Sequence, residues 1–335
     1  MGPKSIILVL ADGAGFGAYA AAFRASGESE TPFARFAHVG VMTSHGPDGI
    51  TVTDSAASAT ALATGVKVPN GYVGVDARGD SRENLLEVAR GLGLATGLVA
   101  TSNVTDATPA AFAAHVTSRM EQTEIMGQML ESRIDVLFGG GAKFLAAHRS
   151  KLTAAGMQEI SHLGVDLRPA TPVIGLFGDQ ALPPAGERHP TTTQMASRAI
   201  EVLEARGVGF VLVVEESQID WAAHANVSAQ LLAEMASFLA LVSVLLDYQS
   251  AHPDTLLLVT SDHETGGVAV VGNEAGPASV RFSTKSHSAN LVPIWASGPG
   301  AAAFGRLVDN AEVGATLLAF VRRRHSIGTA LQPPR

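Results

Sequence analysis

The sequence predicts an α/β protein with a largely parallel central sheet and helices on both of its faces. Short apolar segments typical of buried strands alternate with longer helical patterns along the chain. Alternation of this kind produces parallel strands, because each helix carries the chain back to the same edge of the sheet. The sequence also has no internal repeat and no low-complexity linker. We therefore expect a single catalytic domain over residues 1–335.

Each predicted strand is a short apolar run bounded by polar or turn-forming residues. These runs are Ile6–Leu10, Thr96–Thr101, Ile134–Phe138, Val173–Leu176, Phe210–Val214, Leu256–Thr260 and Val292–Ala296. The opening apolar run Ser5–Ala11 is too short and wrongly flanked for a signal peptide, so we interpret it as a strand. No segment is expected to reach the length of a transmembrane helix.

Helical periodicity fills most of the intervals between these strands. The predicted helices are Ala18–Arg24, Arg82–Gly91, a helix opening at Pro109, Glu121–Ser132, Thr193–Arg206, Ser228–Gln249 and Glu312–Arg324. Asp80 and Glu83 have the spacing of a capping box. Thr108 before Pro109 has the spacing of an N-cap followed by proline at the first helical position.

Composition limits the chemistry that this chain can perform. Apolar residues make up 46% and charged residues 16%, as in a folded globular protein. The net charge of −8 argues against nucleic acid or an anionic membrane as the main partner. The absence of cysteine excludes disulfides, thiolate nucleophiles and cysteine-ligated zinc. A metal ion would have to be held by carboxylate, imidazole and hydroxyl groups.

The segment Thr53–Gly65 is the most informative stretch of the chain. Ser55 lies where an apolar, β-type run with Ile50 and Val52 meets an alanine-rich helical run. A hydroxyl at a helix start lies beside free N–H groups and the positive end of the helix dipole, where an anion is favoured. The alternative is that Ser55 or Asp54 is only an N-cap, and for an isolated motif that interpretation is favoured.

Residues suited to metal binding follow the ends of the predicted strands, where ligands bind in parallel sheets. They are Asp12, Glu215, Asp220, His224, Asp262, His263 and His287. Asp220 and His224 are four residues apart and would project from one face of a helical turn. Asp262 and His263 can converge only where the strand ends in a turn, which Gly266 and Gly267 would supply. Taken singly, His287 could be an ordinary loop histidine and Arg119 a solvated surface arginine.

Together these segments resemble the alkaline phosphatase family. The segment Thr53–Lys67 resembles the family's nucleophile segment, with Ser55 in the nucleophile's place. The other segments follow in the family's order. Leu10–Gly13 resembles the first metal-binding loop, and Asp106–Pro109 with His115–Arg119 resembles the segment that carries the magnesium-site threonine and the phosphate-binding arginine. Glu215–His224 resembles the acidic metal-binding segment, Ser261–Gly267 resembles the aspartate–histidine segment, and Lys285–His287 resembles the segment with the last histidine.

The resemblance implies two zinc ions and one magnesium ion. The first zinc would be bound by Asp220, His224 and His287. The second would be bound by Asp12, Asp262 and His263, with Ser55 as a further ligand. Magnesium would be bound by Asp12, Thr108 and Glu215. Mixed imidazole and carboxylate sets suit zinc, and an all-oxygen set suits magnesium.

The resemblance further implies metal-dependent hydrolysis of phosphate monoesters through a phosphoserine on Ser55, with an alkaline pH optimum. Arg119 would bind the phosphoryl oxygens, and Asp106 and Trp221 would contribute to substrate binding. Trp221 stands where other members often carry a basic or imidazole side chain, and Asp106 at a position that varies together with the third metal site. Phosphate monoesters and inorganic phosphate are the implied ligands.

Only a short segment separates His263 from His287, so we expect no large crown-type insertion, an open site and a broad substrate range. The resemblance implies a periplasmic or secreted protein and allows a homodimer. The alternatives are a phosphodiesterase or sulfatase of the same superfamily, or a non-catalytic protein that binds metal and phosphate. Against a sulfatase, the chain lacks cysteine and Ser55 lacks a Ser-x-Pro-x-Arg context.

Overall fold

The computed structural model describes residues 2–27, 31–272 and 279–330, with the side chains of the last helix described to residue 323. The strands are β1 Ser5–Ala11, β2 His38–Thr43, β3 Ala95–Asn103, β4 Val136–Gly140, β5 Gln158–Glu159, β6 Val173–Leu176, β7 Phe210–Glu216, β8 Thr255–Thr260, β9 Glu264–Thr265, β10 Ala269–Val271, β11 Ser279–Arg281, β12 His287–Ser288, β13 Val292–Ser297 and β14 Leu307–Asp309.

Helices occupy most of the connections between these strands. They are α1 Phe16–Ala25, α2 Ser55–Thr64, α3 Leu85–Gly91, α4 Ala107–Ala111, α5 Gln122–Glu131, α6 Ala142–Leu145, α7 Arg149–Ala155, α8 Thr192–Glu204, α9 Gln218–Ala225, α10 Ser228–Ala251 and α11 Asn310–Ala330. Three short 3₁₀ helices cover Pro32–Arg35, Ala146–His148 and Ala301–Phe304.

Ten of the described strands form one sheet in the order β14-β2-β13-β8-β1-β7-β3-β4-β6-β5. Among these strands β13 runs antiparallel to both of its neighbours, and the other pairs are parallel. The predicted largely parallel sheet is therefore confirmed. β1 lies between β7 and β8, so the carboxyl ends of these three strands are adjacent.

The central strand β1 shows why its sequence is apolar throughout. Ile6, Leu8 and Leu10 belong to one core cluster, which also contains residues of α2, α3, α5 and α11. Ile7 and Val9 belong to a second cluster, with residues of α1, α8, α9 and α10. Successive side chains of a strand point to opposite faces, so helices cover both faces of the sheet as predicted.

Two of the predicted helix starts were wrong. The capping box of α3 uses Asn84 and Glu87, and not Asp80 and Glu83. Asn84 accepts from the N–H groups of Leu86 and Glu87, so the helix begins at Leu85. α4 begins at Ala107, because the carboxylate of Asp106 accepts from the Ala107 N–H.

Thr108 and Pro109 therefore both lie inside the first turn of α4, which leaves the Thr108 hydroxyl free of a capping role. The segment with Ile50 and Val52 forms no strand. Local sequence patterns also did not predict β2 or the edge strand β14, which has only three residues.

The expectation that no segment reaches transmembrane length was wrong for α10. This helix has 24 residues and contains an 18-residue window with a mean hydropathy of 1.9, so it is long and apolar enough to cross a bilayer by length and composition. It contacts α1, α8 and α9, and it buries Met235 and Phe238 in the core. A core helix passes the same test, so one such helix is weak evidence for a membrane span.

Candidate active site

The carboxyl ends of β1, β7 and β8 meet the start of α2 at one cavity. The cavity is lined by Asp12, Ser55, Ser102, Asp106, Ala107, Thr108, Arg119, Glu215, Ser217, Asp220 and Trp221. His263 borders it, because its Nε2 lies 3.1 Å from the Oγ of Ser55. The structure therefore brings together residues that the sequence places as far apart as Asp12 and His263.

Ser55 is the first residue of α2, and its side chain is buried. The N-cap of this helix is Asp54, whose carboxylate accepts from the Ala57 N–H at 2.9 Å. The Ser55 hydroxyl is therefore not used for capping and faces the cavity. Gly65 ends the helix in the left-handed conformation, with a φ of +73°.

The first predicted zinc set, Asp220, His224 and His287, forms a compact group. The two imidazole Nε2 atoms are 3.1 Å apart. They lie 3.3 Å (His224) and 3.6 Å (His287) from the Asp220 carboxylate oxygens. Backbone carbonyls hold the other ring nitrogens, with the Lys285 oxygen 2.6 Å from His224 Nδ1 and the Thr53 oxygen 2.9 Å from His287 Nδ1. This arrangement leaves each Nε2 free to bind a metal.

The second predicted zinc set, Asp12, Asp262 and His263, is buried deeper. His263 Nε2 lies 3.2 Å from Asp262 Oδ2 and 3.6 Å from Asp12 Oδ1. The rings of His263 and His287 stack with centroids 3.7 Å apart, so the two sets are neighbours. Ligand atoms of Asp220, His263 and His287 also lie within 4.8 Å of one another, so His263 is close to both sets.

The predicted magnesium set, Asp12, Thr108 and Glu215, lines the same cavity. The Ser217 hydroxyl donates to Glu215 Oε2 at 2.6 Å and fixes that carboxylate. Within the predicted metal sets, three buried oxygens have no hydrogen-bond partner among the described residues: Asp12 Oδ1, Thr108 Oγ1 and Asp262 Oδ2. Buried polar atoms are rarely left unpaired, and oxygens of this kind suit a bound cation.

Electrostatics of the described residues also favour bound cations. Burial raises the pKa of Asp12 well above its usual value, and the charges of Asp262, Asp220 and Glu215 raise it further. Burial likewise raises the pKa of Glu215 to about 8, with the charges of Asp106 and Asp262 adding to the effect. Metal cations would relieve this repulsion and keep the carboxylates ionised.

Arg119 is not a solvated surface arginine. Its guanidinium donates to Asp54 Oδ2 at 3.2 Å and to Asp106 Oδ1 at 3.1 Å, and it lines the cavity. Two carboxylates therefore orient one planar donor group toward the space in front of Ser55. Trp221, the residue after Asp220, lines the same cavity and keeps 37% of its surface exposed.

The residues that orient these groups were not predicted from the sequence. Asp54 supports Arg119 as well as the helix, and Ser217 supports Glu215. The Thr265 hydroxyl donates to Asp220 Oδ1 and lies 3.3 Å from His263 Nδ1, so it contacts both predicted zinc sets. Each lies within a few residues of a predicted site residue, but serine and threonine are too common for proximity in sequence to single them out.

A carboxylate and imidazole site with a serine at a helix start, at the carboxyl edge of a parallel sheet, is typical of a metal-binding α/β hydrolase. The chain belongs to the alkaline phosphatase family. The sequence model of that family matches residues 3–164 and 158–280.

Individual relatives agree with this assignment. The chain is 35% identical to alkaline phosphatase 4 of Bacillus subtilis over 293 residues, which cover 81% of this chain and 63% of that protein. It is 31% identical to the alkaline phosphatase of Escherichia coli over 346 residues, covering 80% of this chain and 74% of that protein. The chain thus spans less than two thirds of the length of the Bacillus protein.

The fold comparison covers nearly the whole chain. The structure of alkaline phosphatase from the Antarctic bacterium TAB5 superposes with a TM-score of 0.89 at 30% identity, covering 96% of this chain and 98% of that one. A variant of the TAB5 enzyme, with an aspartate in place of a histidine, has Mg bound in its M3 site.

Proposed function

We propose that this protein hydrolyses phosphate monoesters in a metal-dependent reaction that passes through a phosphoserine on Ser55. The observation that carries this proposal is the position of the Ser55 Oγ, 3.1 Å from His263 Nε2 in a cavity shared with Arg119. A capping role does not account for that hydroxyl, because Asp54 caps the helix. The hydroxyl, the carboxylate cluster and the oriented guanidinium suit attack on a phosphoryl group.

The three predicted ligand sets fit two zinc ions and one magnesium ion. Asp220, His224 and His287 would hold the first zinc, and Asp12, Asp262 and His263 the second. Asp12, Thr108 and Glu215 offer oxygen atoms alone, which suits magnesium. When bound, such cations neutralise phosphoryl charge and lower the pKa of a coordinated hydroxyl group. With His263 Nε2 used as a metal ligand, that ring is not the general base for Ser55.

The residues of the chain then have distinct roles. The deprotonated Ser55 Oγ forms a bond to phosphorus, and the bond from phosphorus to the leaving alcohol oxygen breaks. Water next hydrolyses the phosphoserine, which releases inorganic phosphate and restores Ser55. Arg119 donates two N–H groups to the phosphoryl oxygens in the geometry that Asp54 and Asp106 impose. Because Ser55 must be deprotonated, we expect an alkaline pH optimum.

Substrate selection should be broad. Asp106 and Trp221 are the residues that we assign to substrate binding, and the short segment between His263 and His287 offers few contacts to a leaving group. Small phosphate monoesters and inorganic phosphate are the proposed ligands, and the net charge of −8 disfavours nucleic acid. A periplasmic or secreted location and a homodimer remain proposals that follow from the family.

The test compares kcat/KM for p-nitrophenyl phosphate and bis-p-nitrophenyl phosphate at matched pH and metal content. We expect a clear preference for the monoester, because Arg119 and bound cations match a doubly charged group. A diester rate equal to the monoester rate would favour the phosphodiesterase alternative.

We also expect a chelator to abolish activity, zinc to restore it and magnesium to raise it further, with zinc-saturated chelator as the control. Full activity after exhaustive metal removal would refute the metal requirement.

A further inference from the structure

Glu264 is a buried carboxylate beside the metal-binding residues that the proposed reaction does not use. It follows His263 directly, and only 2% of its surface is exposed. Its Oε1 accepts from the Val268 N–H at 3.0 Å. Its Oε2 accepts from the Ser288 hydroxyl and from Asn290 Nδ2, the latter at 3.3 Å. Among the described residues Glu264 forms no ion pair, so neutral donors alone compensate its burial.

These donors place Glu264 across the segment that carries His287. Ser288 directly follows His287, and Asn290 comes two residues later. The start of α1 also makes room for this carboxylate side chain. A Cβ atom at Gly15 would lie 2.2 Å from the Glu264 Cγ, so only glycine fits there. Glu264 therefore joins the loop after Asp12 to the strands β9 and β12.

His287 needs such support, because its own secondary structure is short. β12 has two residues and pairs antiparallel with the two residues of β9, with His287 opposite Thr265 and Ser288 opposite Glu264. One further backbone bond, from the Gly266 N–H to the Ser286 oxygen at 3.0 Å, extends this pairing. An isolated two-stranded ribbon is marginally stable at best. The side-chain bonds of Glu264 add to a ladder that is otherwise minimal.

The second zinc set has separate anchors. The Ser261 hydroxyl donates to the His263 oxygen at 2.6 Å and accepts from the Ala14 N–H at 3.0 Å. The Gly13 N–H donates to Asp262 Oδ1 at 3.3 Å. These bonds hold Asp262 and His263 without Glu264. Removing the Glu264 carboxylate should therefore disturb the first zinc set more than the second.

We propose that Glu264 is a positioning residue for His287, which holds β12 so that His287 Nε2 stays beside Asp220 and His224. This inference rests on the proposed function, because it takes Asp220, His224 and His287 as a zinc site. The bonds to Ser288 and Asn290 fix the chain just beyond His287, and the Thr53 oxygen fixes its ring. Removing a hydrogen bond that positions a metal-binding residue typically changes metal affinity by roughly 10- to 100-fold.

The experiment is a zinc titration of the metal-depleted full chain against a fluorescent chelator, for the wild type, Glu264→Ala and Glu264→Gln. We expect Glu264→Ala to weaken the binding of one of the two zinc ions by roughly 10- to 100-fold and to leave the affinity for the other unchanged. Glu264→Gln should lose less, because its amide oxygen still accepts a hydrogen bond. Asn84→Ala is the matched control. It removes a buried cap of α3 and should lower Tm without changing zinc affinity.

A double-mutant cycle identifies the residue through which Glu264 acts. In a His287→Ala background, Glu264→Ala should cause no further loss of zinc affinity. An additive loss, or an unchanged affinity in the single variant, would overturn the positioning role. If Glu264→Ala fails to fold, Ser288→Ala removes one of the donors and should weaken the same zinc ion by a smaller factor, and an unchanged affinity there would equally overturn it. A wild-type chain that binds no zinc would overturn the proposed function itself.

Discussion

Glu215 and Glu216 are neighbours at the end of β7, and both are buried. They differ in the charged groups that surround them. Their side chains point to opposite faces of the sheet. Glu216 Oε2 accepts from the Arg188 guanidinium at 2.8 Å, and Oε1 accepts from the Ser237 hydroxyl at 2.8 Å. Arg188 also pairs with Glu234, so this cluster contains its own cation. Glu215 instead faces the carboxylates of the candidate active site.

The difference shows that burial of charge does not by itself indicate function. Burial raises the pKa of both glutamates, but the charge of Arg188 opposes the effect at Glu216. At Glu215 the nearby charges of Asp106 and Asp262 add to burial and raise the pKa to about 8. The Glu216 cluster with its own cation is a structural network, whereas four carboxylates (Asp12, Asp106, Glu215 and Asp220) line the candidate active site beside the single guanidinium of Arg119, which suits cations from outside.

The largest expected effect tests whether the chemistry belongs to the Glu215 side of the sheet. Ser55→Ala should lower kcat by at least about 10³-fold, because only water remains as a nucleophile. Zinc and magnesium content and Tm should stay close to wild type, since Asp54 caps α2. The measurement is steady-state hydrolysis of p-nitrophenyl phosphate, with metal analysis of the same samples. Wild-type rates in the folded variant would refute the covalent mechanism.

The next prediction concerns removal of the cation from the Glu216 cluster, which would then resemble the carboxylates around Glu215. Arg188→Met leaves the carboxylates of Glu216 and Glu234 buried without their cation. We expect the free energy of unfolding to fall by about 3–5 kcal/mol. Glu215→Gln, the matched variant, should not destabilise the metal-free protein but should weaken magnesium binding. Urea denaturation of both metal-free proteins provides the measurement, and equal destabilisation by the two substitutions would remove the distinction.

Arg119 has a feature of each cluster. Like Arg188 it pairs with two carboxylates, those of Asp54 and Asp106, and like Glu215 it lines the cavity. Arg119→Ala should raise the transition-state free energy by about 2–4 kcal/mol, the range for one preorganised charged donor. Arg119→Lys should recover only part of this loss, because an ammonium cannot make the bidentate contact. The readouts are kcat/KM and inhibition by inorganic phosphate. Unchanged phosphate inhibition in Arg119→Ala would assign the residue a purely structural role.

The smallest expected effect concerns a partly exposed pair that belongs to neither cluster. His115 Nε2 and Glu87 Oε1 are 2.8 Å apart. The hydrogen bond with Glu87 raises the pKa of His115 above 6.5. Burial opposes the change at Glu87, but the hydrogen bond from His115 lowers its pKa below 4.5. The pair therefore stabilises the fold fully between pH 4.5 and 6.5, and this stability is lost as the pH rises through the His115 pKa or falls through the Glu87 pKa.

The check is the urea midpoint of wild type and Glu87→Gln at pH values below 4.5, between 4.5 and 6.5, and above 6.5. Glutamine preserves the capping box of α3, so the difference isolates the ion pair. We expect the free energies of unfolding of wild type and Glu87→Gln to differ by less than about 1 kcal/mol, and this difference should shrink above pH 6.5. A difference that grows with rising pH would contradict the assignment of charge to His115.

The sequence by itself determined the alternation of strands and helices and the residue types at the strand ends. Both depend on local patterns, because apolar periodicity and turn residues act within a few positions. β1, β7 and β8 were predictable in this way, and so was the gathering of Asp12, Glu215 and Asp262 at one edge of the sheet. The order of the motifs also identified the family, as the comparisons confirm.

Only the tertiary structure decided which side chains meet. Ser55 and His263 are 208 residues apart in the chain, and Arg188 and Glu234 are 46 apart. No local pattern specifies such pairs, because their partners are fixed by how helices and strands pack. The same reason explains why the sequence suggested no role for Glu264 and placed the cap of α4 at Thr108 instead of Asp106. A carboxylate's neighbours in space, and not its neighbours in sequence, determine whether it binds a guanidinium, a helix N–H or a metal ion.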